Sequence, residues 1–351
     1  MKLERRALHV SKEGILKIIN PLVAVTIAFL FGGMMVLISG DSPLETYGII
    51  LNGAFGSAKS IHNTIRYAIP ILMLAYSFAI CNKCGYFNIS QEAQIYAAAI
   101  AIAMVSQATL ALPTWLRMVL MILASCVTAT LFCLLPAFVH HRFGVSDVVI
   151  GVMLNYLMQL LLQHLLKFSF IGDQSKSTLM SKPLGGEISQ GVLMALCVIL
   201  IVGYQFVLKW TIPGYRLTIV GKNPKFAQAS GLPSQKIIYL SAVVGGLLAG
   251  MVACGELFAN YSVIYANFAS NFGFNGMTAA LIGGSHPVGM LFGSVLLGAL
   301  RSGSTMLDVF SKVPASIVDC VQGFVTFLAS IAIFKVSKKK RAGLKQGGAK
   351  K

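Results

Sequence analysis

The sequence predicts an all-α polytopic membrane protein. Of its 351 residues, 56% are hydrophobic and only 11% are charged, whereas soluble domains carry about 25% charged residues. Uncharged apolar runs recur along nearly the whole chain, and a run of about 18 or more such residues is typical of a spanning helix. A transmembrane β-barrel would instead show short segments of alternating hydrophobicity.

Nine apolar runs stand out along the chain. They cover 22–38, 67–80, 93–112, 118–139, 148–166, 191–208, 237–255, 274–300 and 313–334. Run 274–300 is long for one crossing, and it contains the string GGSHPVG at 283–289, whose Gly-Gly and Pro suit a helix interior poorly. We therefore expect two short segments, 274–284 and 287–300, that meet at the cytoplasmic side, which gives about ten crossings with broken helices.

The basic residues predict the orientation of the chain. The formal net charge is +17, and Lys and Arg are dense in the N-terminal segment 1–20 and in the C-terminal tail 335–351. Such clusters mark cytoplasmic segments, so both termini are predicted to be cytoplasmic, on either side of a single transmembrane domain at 21–334. Their place beside the membrane favours contact with anionic membrane lipid over any role with nucleic acid.

Two interruptions carry similar strings at comparable positions in the two halves, GYFN at 85–88 and GFN at 273–275. Interrupted helices in corresponding places indicate a transporter's binding path. Non-helical backbone at membrane depth requires protein or a water-filled cavity around it. Ordinary helix contacts through small residues are the alternative, but the polar side chains at both breaks favour a cavity.

The largest connection, 209–236, contains signals for a short helix. Asn223 suits the N-cap, Pro224 suits the first helical position, and Gly231 suits the position after the end. A helix of about two turns is not stable alone, so neighbours or a partner must hold it. Docking on a cytosolic protein is one interpretation, and a locally ordered surface loop is the other.

Three motifs resemble the permease subunits of bacterial ABC importers, in the branch that imports nucleosides and simple sugars. They are GYFNISQEAQ (85–94), GKNPKFAQASGL (221–232) and GFNGMTAALIGGSHPVG (273–289). Their order and spacing also fit, and the similarity covers roughly residues 20–335. The chain departs from the family pattern at Ser90 and Ala93, which replace Gly, at Phe226, which replaces a small residue, and at Asn275, which replaces Asp.

The resemblance implies a multi-pass permease subunit of an ATP-driven importer in the cytoplasmic (inner) membrane. It would form the path for nucleosides or simple sugars delivered by an extracytoplasmic substrate-binding protein. Further implied partners are cytosolic ABC ATPase subunits and a second permease, either another copy or a paralogue. The chain itself would be no enzyme and would need no cofactor, because the ATPase subunit uses the ATP.

The resemblance also assigns candidate residues. Amides such as Asn88 and Asn275 can donate to and accept from a base or ribose, and Phe87 and Phe274 can stack on a planar base. Asn155 is a weaker candidate on one face of run 148–166, with Gln159 one turn later. The substrate-path candidates are Phe87, Asn88, Glu92, Asn155, Phe274 and Asn275. The residues assigned to ATPase coupling are Gly221, Asn223, Pro224, Ala227, Ala229 and Gly231.

Glu92 has two interpretations. A carboxylate near the start of a spanning helix is costly unless it is solvated or paired. In the first interpretation it lies near the membrane boundary, is only partly desolvated, and either hydrogen-bonds the broken backbone or pairs with Lys83. In the second it lines the path. The first is favoured on the sequence.

Two rival functions remain at this point. A secondary-active transporter of small solutes would need a coupling-ion site and would not need a docking helix in 209–236. A membrane-embedded enzyme would need a cluster of catalytic groups, and the sequence contains neither H-E-x-x-H nor G-x-S-x-G.

Overall fold

The computed structural model describes residues 26–27, 29–38, 40–185, 190–310, 317–324 and 327. Over these residues the chain is helical, and its only β-structure is two isolated bridges. The predicted cytoplasmic segments 1–20 and 335–351 lie outside the described residues. The helices are α1 (Phe29–Ile38), α2 (Pro43–Phe55), α3 (Ala58–Lys83), α4 (Gln91–Ala108), α5 (Thr114–Phe143), α6 (Asp147–Phe168), α7 (Gln190–Trp210), α8 (Ile212–Lys222), α9 (Pro224–Ala229), α10 (Ser234–Gly255), α11 (Phe272–Ile282) and α12 (Pro287–Phe310), with a π-helix, Glu256–Tyr261, directly after α10.

The described helices confirm the all-α class and supply several candidate membrane spans. In the described part, five helices are long and apolar enough to cross a membrane, namely α3, α5, α6, α12 and α10 with its π-helical extension. The shorter helices α1 and α11 are also apolar. The count of ten crossings and the cytoplasmic placement of both termini stay predictions.

Sequence reasoning missed two helices and shortened a third. The predicted runs did not include α2, and they left α8 inside the connection 209–236. Helix α3 begins nine residues before run 67–80, at Ala58. In each case polar or charged residues, such as Lys59 and Arg66 in α3, dilute the apolar signal although the backbone is helical.

Residues 69–277 form one compact unit. Its core is made by α10 packed along α5, with α4 against α5 and α6. Hydroxyl groups hydrogen-bond to carbonyl groups of α10, where Ser125 Oγ lies 2.8 Å from the Gly250 oxygen and Ser77 Oγ 2.8 Å from the Gly245 oxygen. Small residues of this kind let membrane helices approach closely.

Residues 1–68 and 278–351 form the second compact unit. In its described part α12 packs against α2, and Ser302 Oγ donates to the Gly53 oxygen at 3.0 Å. The predicted break within 274–300 is confirmed, because α11 ends at Ile282 and α12 begins at Pro287. Gly284 and Ser285 both have positive φ in the turn between them, a conformation that ends a helix.

Candidate functional site

Helix α4 begins deep beside its neighbours, after the non-helical segment 84–90. The Gln91 side chain donates to the Leu74 oxygen at 2.8 Å. Leu74 precedes the end of α3 at Lys83 by nine residues, or about 13 Å of helix, close to half the thickness of a hydrocarbon core. The first interruption predicted from the sequence is therefore present, but α4 starts well inside the helix bundle.

The residues at this start form a buried polar cluster. Asn88, Ser90, Gln91 and Gln94 are fully buried. Asn88 Oδ1 accepts hydrogen bonds from Ser90 Oγ at 3.1 Å and from Gln94 Nε2 at 2.8 Å. Gln94 Nε2 also donates to Ser90 Oγ at 3.0 Å. Asn88 thus lies in the protein interior, and its contact with a solute stays a prediction.

Asn155 of α6 caps α4 from outside the helix. The N-cap residue Ser90 makes no side-chain capping bond. Instead Asn155 Oδ1 accepts from the Ala93 N–H at 2.9 Å, and Asn155 Nδ2 donates to the Ile89 oxygen at 3.0 Å. The first N–H groups of a helix lack partners within the helix, so this amide satisfies one of them and ties segment 84–90 to α6.

Glu92 caps a second helix in the same way. Its carboxylate accepts hydrogen bonds from the backbone N–H groups of Phe274 and Asn271, at the first turn of α11. A Cβ at Gly273 would lie 2.8 Å from Glu92 Cγ, which shows how closely the two helix starts approach. An anion is favourable at a helix N-terminus because of the helix dipole and the unpaired N–H groups.

These contacts test the first interpretation of Glu92, while its place in the path stays a prediction. The expected partial desolvation at the membrane boundary is wrong, because the side chain is only 8% exposed. The hydrogen bonds to broken backbone are found as expected. Lys83 is not its partner, since the Lys83 ammonium lies 5.7 Å from the ring centroid of Tyr204.

A second non-helical segment, 262–271, precedes α11 and was not recognised in the sequence. Its outer end pairs with the loop 169–185, where the Ser181 N–H donates to the Ile264 oxygen at 2.9 Å and the Leu184 N–H to the Ser262 oxygen at 3.1 Å. The only signal was the length of the aromatic stretch between runs 237–255 and 274–300. Main-chain pairing with a distant loop leaves no local pattern.

The remaining path candidates lie around the same helix starts. Phe87 is half-buried, packs edge-to-face on Phe78 at 4.9 Å between centroids, and donates its N–H to Asp147 Oδ2 at 3.3 Å. Phe274 is 38% exposed and Asn275 is buried. The structure therefore brings residues from both interruptions to one place, while their contact with a solute stays a prediction.

The buried polar cluster, together with Glu92, retains unused hydrogen-bonding capacity. Four buried side-chain atoms have no partner among the described residues, namely Asn88 Nδ2, Gln91 Oε1, Glu92 Oε1 and Gln94 Oε1. Each buried polar atom left unpaired costs about 1–3 kcal/mol. Such a concentration at one helix start is costly for structure alone, and it suits the transient binding of a polar group.

The predicted short helix is confirmed as α9. Asn223 caps it, with Oδ1 accepting from the Phe226 N–H at 3.1 Å, and Pro224 is its first residue. Gly231 has φ +73°, and it follows the C-cap Ser230. Within this helix Ala227 is fully buried, whereas Phe226 and Ala229 are exposed. Ala227 thus packs α9 against the rest of the protein, and the docking of its exposed residues on a cytosolic partner stays a prediction.

Segment 221–231, predicted to couple to an ATPase, contacts the first interruption directly. Gly221 packs against the Lys83 carbonyl so closely that a Cβ would overlap it. Beyond this contact, Cys84 and Tyr86 share one buried apolar cluster with Leu217, Val220 and Ala227. The Tyr86 hydroxyl donates to the Cys133 oxygen at 2.8 Å. A displacement of α8 and α9 would therefore be transmitted to segment 84–90.

No metal centre is apparent among the residues that the structure describes. They contain no group of three or more His, Cys, Asp or Glu side chains that could hold an ion.

Comparisons with known proteins identify the family of this chain. The profile of the family described as "Branched-chain amino acid transport system / permease component" matches residues 60–330. The chain is 28% identical to the nucleoside ABC transporter permease protein NupB of Lactococcus lactis, covering 95% of this chain and 97% of that one. It is 27% identical to the guanosine ABC transporter permease protein NupP of Bacillus subtilis, with 92% and 97% covered. It is 25% identical to the glucose ABC transporter permease protein TsgB13 of Haloferax volcanii, with 90% and 88% covered. The resemblance noted from the three motifs is confirmed.

Proposed function

Because this chain belongs to the family of branched-chain amino acid transport system permease components, we propose that it is the permease subunit of an ATP-driven ABC importer for nucleosides. The observation that carries the proposal is the buried polar cluster where α4 and α11 begin. Two interrupted crossings bring their helix starts together there, and unsatisfied amide and carboxylate atoms surround the meeting point. A path for a polar solute requires such groups at membrane depth.

Nucleosides are the favoured cargo for two reasons. Two of the relatives carry a nucleoside or guanosine in their names, against one named for glucose. Amide groups of Asn and Gln present donors and acceptors together, which matches the mixed donor and acceptor edges of a base and the hydroxyls of ribose. Simple sugars carry hydroxyls but no base, so they would use only the part of this match that involves hydroxyls.

ATP hydrolysis belongs in a separate cytosolic subunit under this proposal, so the permease itself needs no cofactor. Helix α9 would dock on that ATPase through its exposed face at Phe226 and Ala229. Movement would reach the buried polar cluster through the contact of Gly221 with Lys83 and the adjoining apolar cluster.

The same proposal includes a topology, partners and a membrane for the chain. Ten crossings with both termini cytoplasmic place 209–236 beside the ATPase and loop 169–185 on the opposite face. A second permease, either a copy or a paralogue, completes the path, and an extracytoplasmic binding protein delivers the solute. The membrane is the cytoplasmic one, whose anionic lipid would attract the basic termini.

The proposal is tested in proteoliposomes that contain the full chain with its ATPase, its second permease and its binding protein. We expect ATP-dependent uptake of labelled guanosine or uridine, and no uptake when a non-hydrolysable ATP analogue replaces ATP. Uptake driven by an ion gradient without the ATPase would overturn the proposal in favour of a secondary transporter. Uptake of glucose and of no nucleoside would overturn the choice of cargo.

Docking of α9 is tested separately by co-purification. Phe226→Asp places a charge on the exposed face of α9, so we expect loss of the ATPase from the purified complex. The matched control is Phe170→Asp, the same change at an exposed phenylalanine in loop 169–185, which should retain the ATPase. Wild-type recovery of the ATPase with Phe226→Asp would exclude this docking face.

A further inference from the structure

Four aromatic rings connect the buried polar cluster with the surface of unit 69–277. Ring centroids are 6.0 Å apart between Tyr265 and Tyr261, 6.5 Å between Tyr261 and Phe268, and 5.8 Å between Phe268 and Tyr96. All three pairs are edge-to-face. Tyr96 follows Glu92 by one helical turn and therefore lies on the same face of α4. We refer to these four rings as the aromatic column.

Exposure falls steadily along the column. Tyr265 is 38% exposed, Tyr261 is half-buried, Phe268 is 6% exposed and Tyr96 is completely buried. The hydroxyl of Tyr96 has no hydrogen-bond partner within the described part of the chain. The column thus begins at the exposed surface of the chain and ends at a buried polar atom beside the cluster of unsatisfied groups.

The backbone that carries three of these rings is irregular, and hydrogen bonds with other elements hold it at Ile264, at Asn267 and at Asn271. Tyr261 ends the π-helix, and Tyr265 and Phe268 lie in segment 262–271. π-helical turns are frequent at functional sites, and irregular backbone at membrane depth needs a cavity or protein around it. Ile264 is held by Ser181, whose Oγ accepts the Ile264 N–H at 2.9 Å, so the neighbouring Tyr265 stays in place at the entrance.

We propose that the aromatic column is the entrance limb of the solute path and that it selects solutes carrying a planar base. This inference rests on the proposed function and names the part of the solute that is recognised. Every nucleobase has a π-face that can stack on an aromatic ring, and such stacking tolerates different bases. A base that moves along the column can therefore take the place of the neighbouring ring at each step. The contact that a ring loses with its neighbour and the contact that it gains with the base are of similar strength. A simple sugar lacks the flat π-face.

A role in packing alone predicts a different pattern. Rings that only fill a core are buried together, whereas the exposure here is graded and the outermost ring lies at the surface of the chain. Loss of the ring at Tyr265 would then have little effect, because an exposed aromatic residue contributes little to the stability of a fold.

The test uses the complete complex in proteoliposomes and two variants of the exposed ring. Tyr265→Phe keeps the ring and loses the hydroxyl, while Tyr265→Leu loses the ring. For the nucleoside that the wild type imports, we expect Tyr265→Phe to stay near the wild-type rate and Tyr265→Leu to fall about fivefold or more, the loss of one stacking contact. The control is Tyr156→Leu, the same change at an exposed tyrosine of α6, which should leave uptake unchanged.

The ATPase rate stimulated by loaded binding protein is measured on the same samples. It should stay near the wild-type rate in Tyr265→Leu, because docking is intact and only passage is slowed. Equal uptake by Tyr265→Leu and Tyr265→Phe would overturn the proposal that the aromatic column selects planar bases. A stimulated ATPase rate that falls in step with uptake would also overturn it, since the ring would then act in docking. Failure of the proposed function is distinguishable, because it is already visible as absent nucleoside uptake by the wild type.

Discussion

The starts of α4 and α11 are both capped by a side chain from another helix, but the two capping groups differ chemically. Each helix begins inside the protein after a non-helical segment, and each has the N–H of its third residue capped by a side chain from another helix. For α4 the cap is the neutral amide of Asn155, which binds the Ala93 N–H. For α11 it is the carboxylate of Glu92, which binds Phe274 and Asn271.

The difference assigns separate roles to the two caps. An amide can both donate and accept, and Asn155 uses both groups to hold segment 84–90 and α4 together. A carboxylate only accepts, but its charge is stabilised by the dipole of α11. Glu92 accepts from two backbone N–H groups, and one of its oxygens still has no partner among the described residues. Changes at the two caps can separate structural loss from functional loss.

The largest effect is expected for Glu92→Leu. It leaves two backbone N–H groups at the start of α11 without an acceptor, and hydrogen bonds to charged groups contribute about 1.5–3 kcal/mol each. After allowance for the removed cost of burying the charge, we expect the free energy of unfolding to fall by about 3 kcal/mol. Thermal unfolding can be followed with a thiol-reactive dye, because Cys81, Cys84 and Cys133 are buried.

Glu92→Gln is the matched variant for this prediction. Its amide oxygen can still accept one or both N–H groups, so we expect less than half of the stability loss. Equal destabilisation by Gln and Leu would contradict a capping role based on accepted hydrogen bonds. Uptake that is lost in Glu92→Gln at near-normal stability would assign the carboxylate to the path as well.

The second effect in size is expected for Asn155→Leu. The change leaves the Ala93 N–H and the Ile89 oxygen unpaired, and neutral buried groups of this kind cost about 1–3 kcal/mol each, part of which relaxation recovers, so we expect a loss of about 2 kcal/mol. Gln159→Leu, one turn along α6, is the control, since its bond to Asn267 Oδ1 is exposed. A control that unfolds as early as Asn155→Leu would exclude the capping explanation.

The two helix starts also show how far the sequence could lead. The first interruption was recognised because Asn88, Gln91 and Glu92 place polar groups beside an apolar run. The capping of α9 was predictable for a similar local reason, since Asn223, Pro224 and Gly231 fix its ends. The caps supplied by Asn155 and Glu92 were beyond prediction, because each depends on a contact between distant parts of the chain.

Segment 262–271 gives the opposite case. It carries no charged residue, and the main-chain pairing of its first residues with residues 181–184 leaves no pattern in the side chains. The sequence indicated the second interruption by the string GFN at 273–275 and by the Gly and Pro residues of 283–289, which signal a turn, but it did not indicate segment 262–271 itself. That turn exists, but the backbone beside Glu92 lies one helix earlier, at the start of α11.

A smaller effect is expected where the two helix starts touch. In Gly273→Ala the new Cβ would lie 2.8 Å from Glu92 Cγ and 3.0 Å from the Glu92 nitrogen. Overpacking of this kind costs about 1–3 kcal/mol. Because only one methyl group is added, we expect the free energy of unfolding to fall by about 1 kcal/mol. Gly203→Ala is the control, because a Cβ at Gly203 would meet no neighbouring atom within 4 Å, and Ala favours a helix. In the same dye assay, we expect the stability of the folded state to fall in Gly273→Ala and to rise in Gly203→Ala.

The smallest effect is expected at Asp173, an exposed counterpart of Glu92 in loop 169–185. Its Oδ1 accepts from Ser175 Oγ at 2.6 Å and from the Ser175 N–H at 3.2 Å. The hydroxyl and then the backbone N–H of Ser175 hold the pKa of Asp173 below its ordinary value. A carboxyl with a lowered pKa in the folded state stabilises that state above its unfolded pKa, about 3.9, and this contribution is lost as the pH falls through the folded pKa.

We therefore expect the turn at 173–175 to loosen only in acid, below the ordinary range of an aspartate. Ser175→Ala should raise the pKa of Asp173, measured by carbon NMR of its labelled carboxyl group. Lys176→Ala should raise it less, because the hydrogen bonds of Ser175 outweigh the charge of Lys176. A larger rise with Lys176→Ala would mean that the charge of Lys176, rather than the hydrogen bonds of Ser175, sets this pKa. Asp173 would then not resemble Glu92 as a carboxylate held by accepted hydrogen bonds.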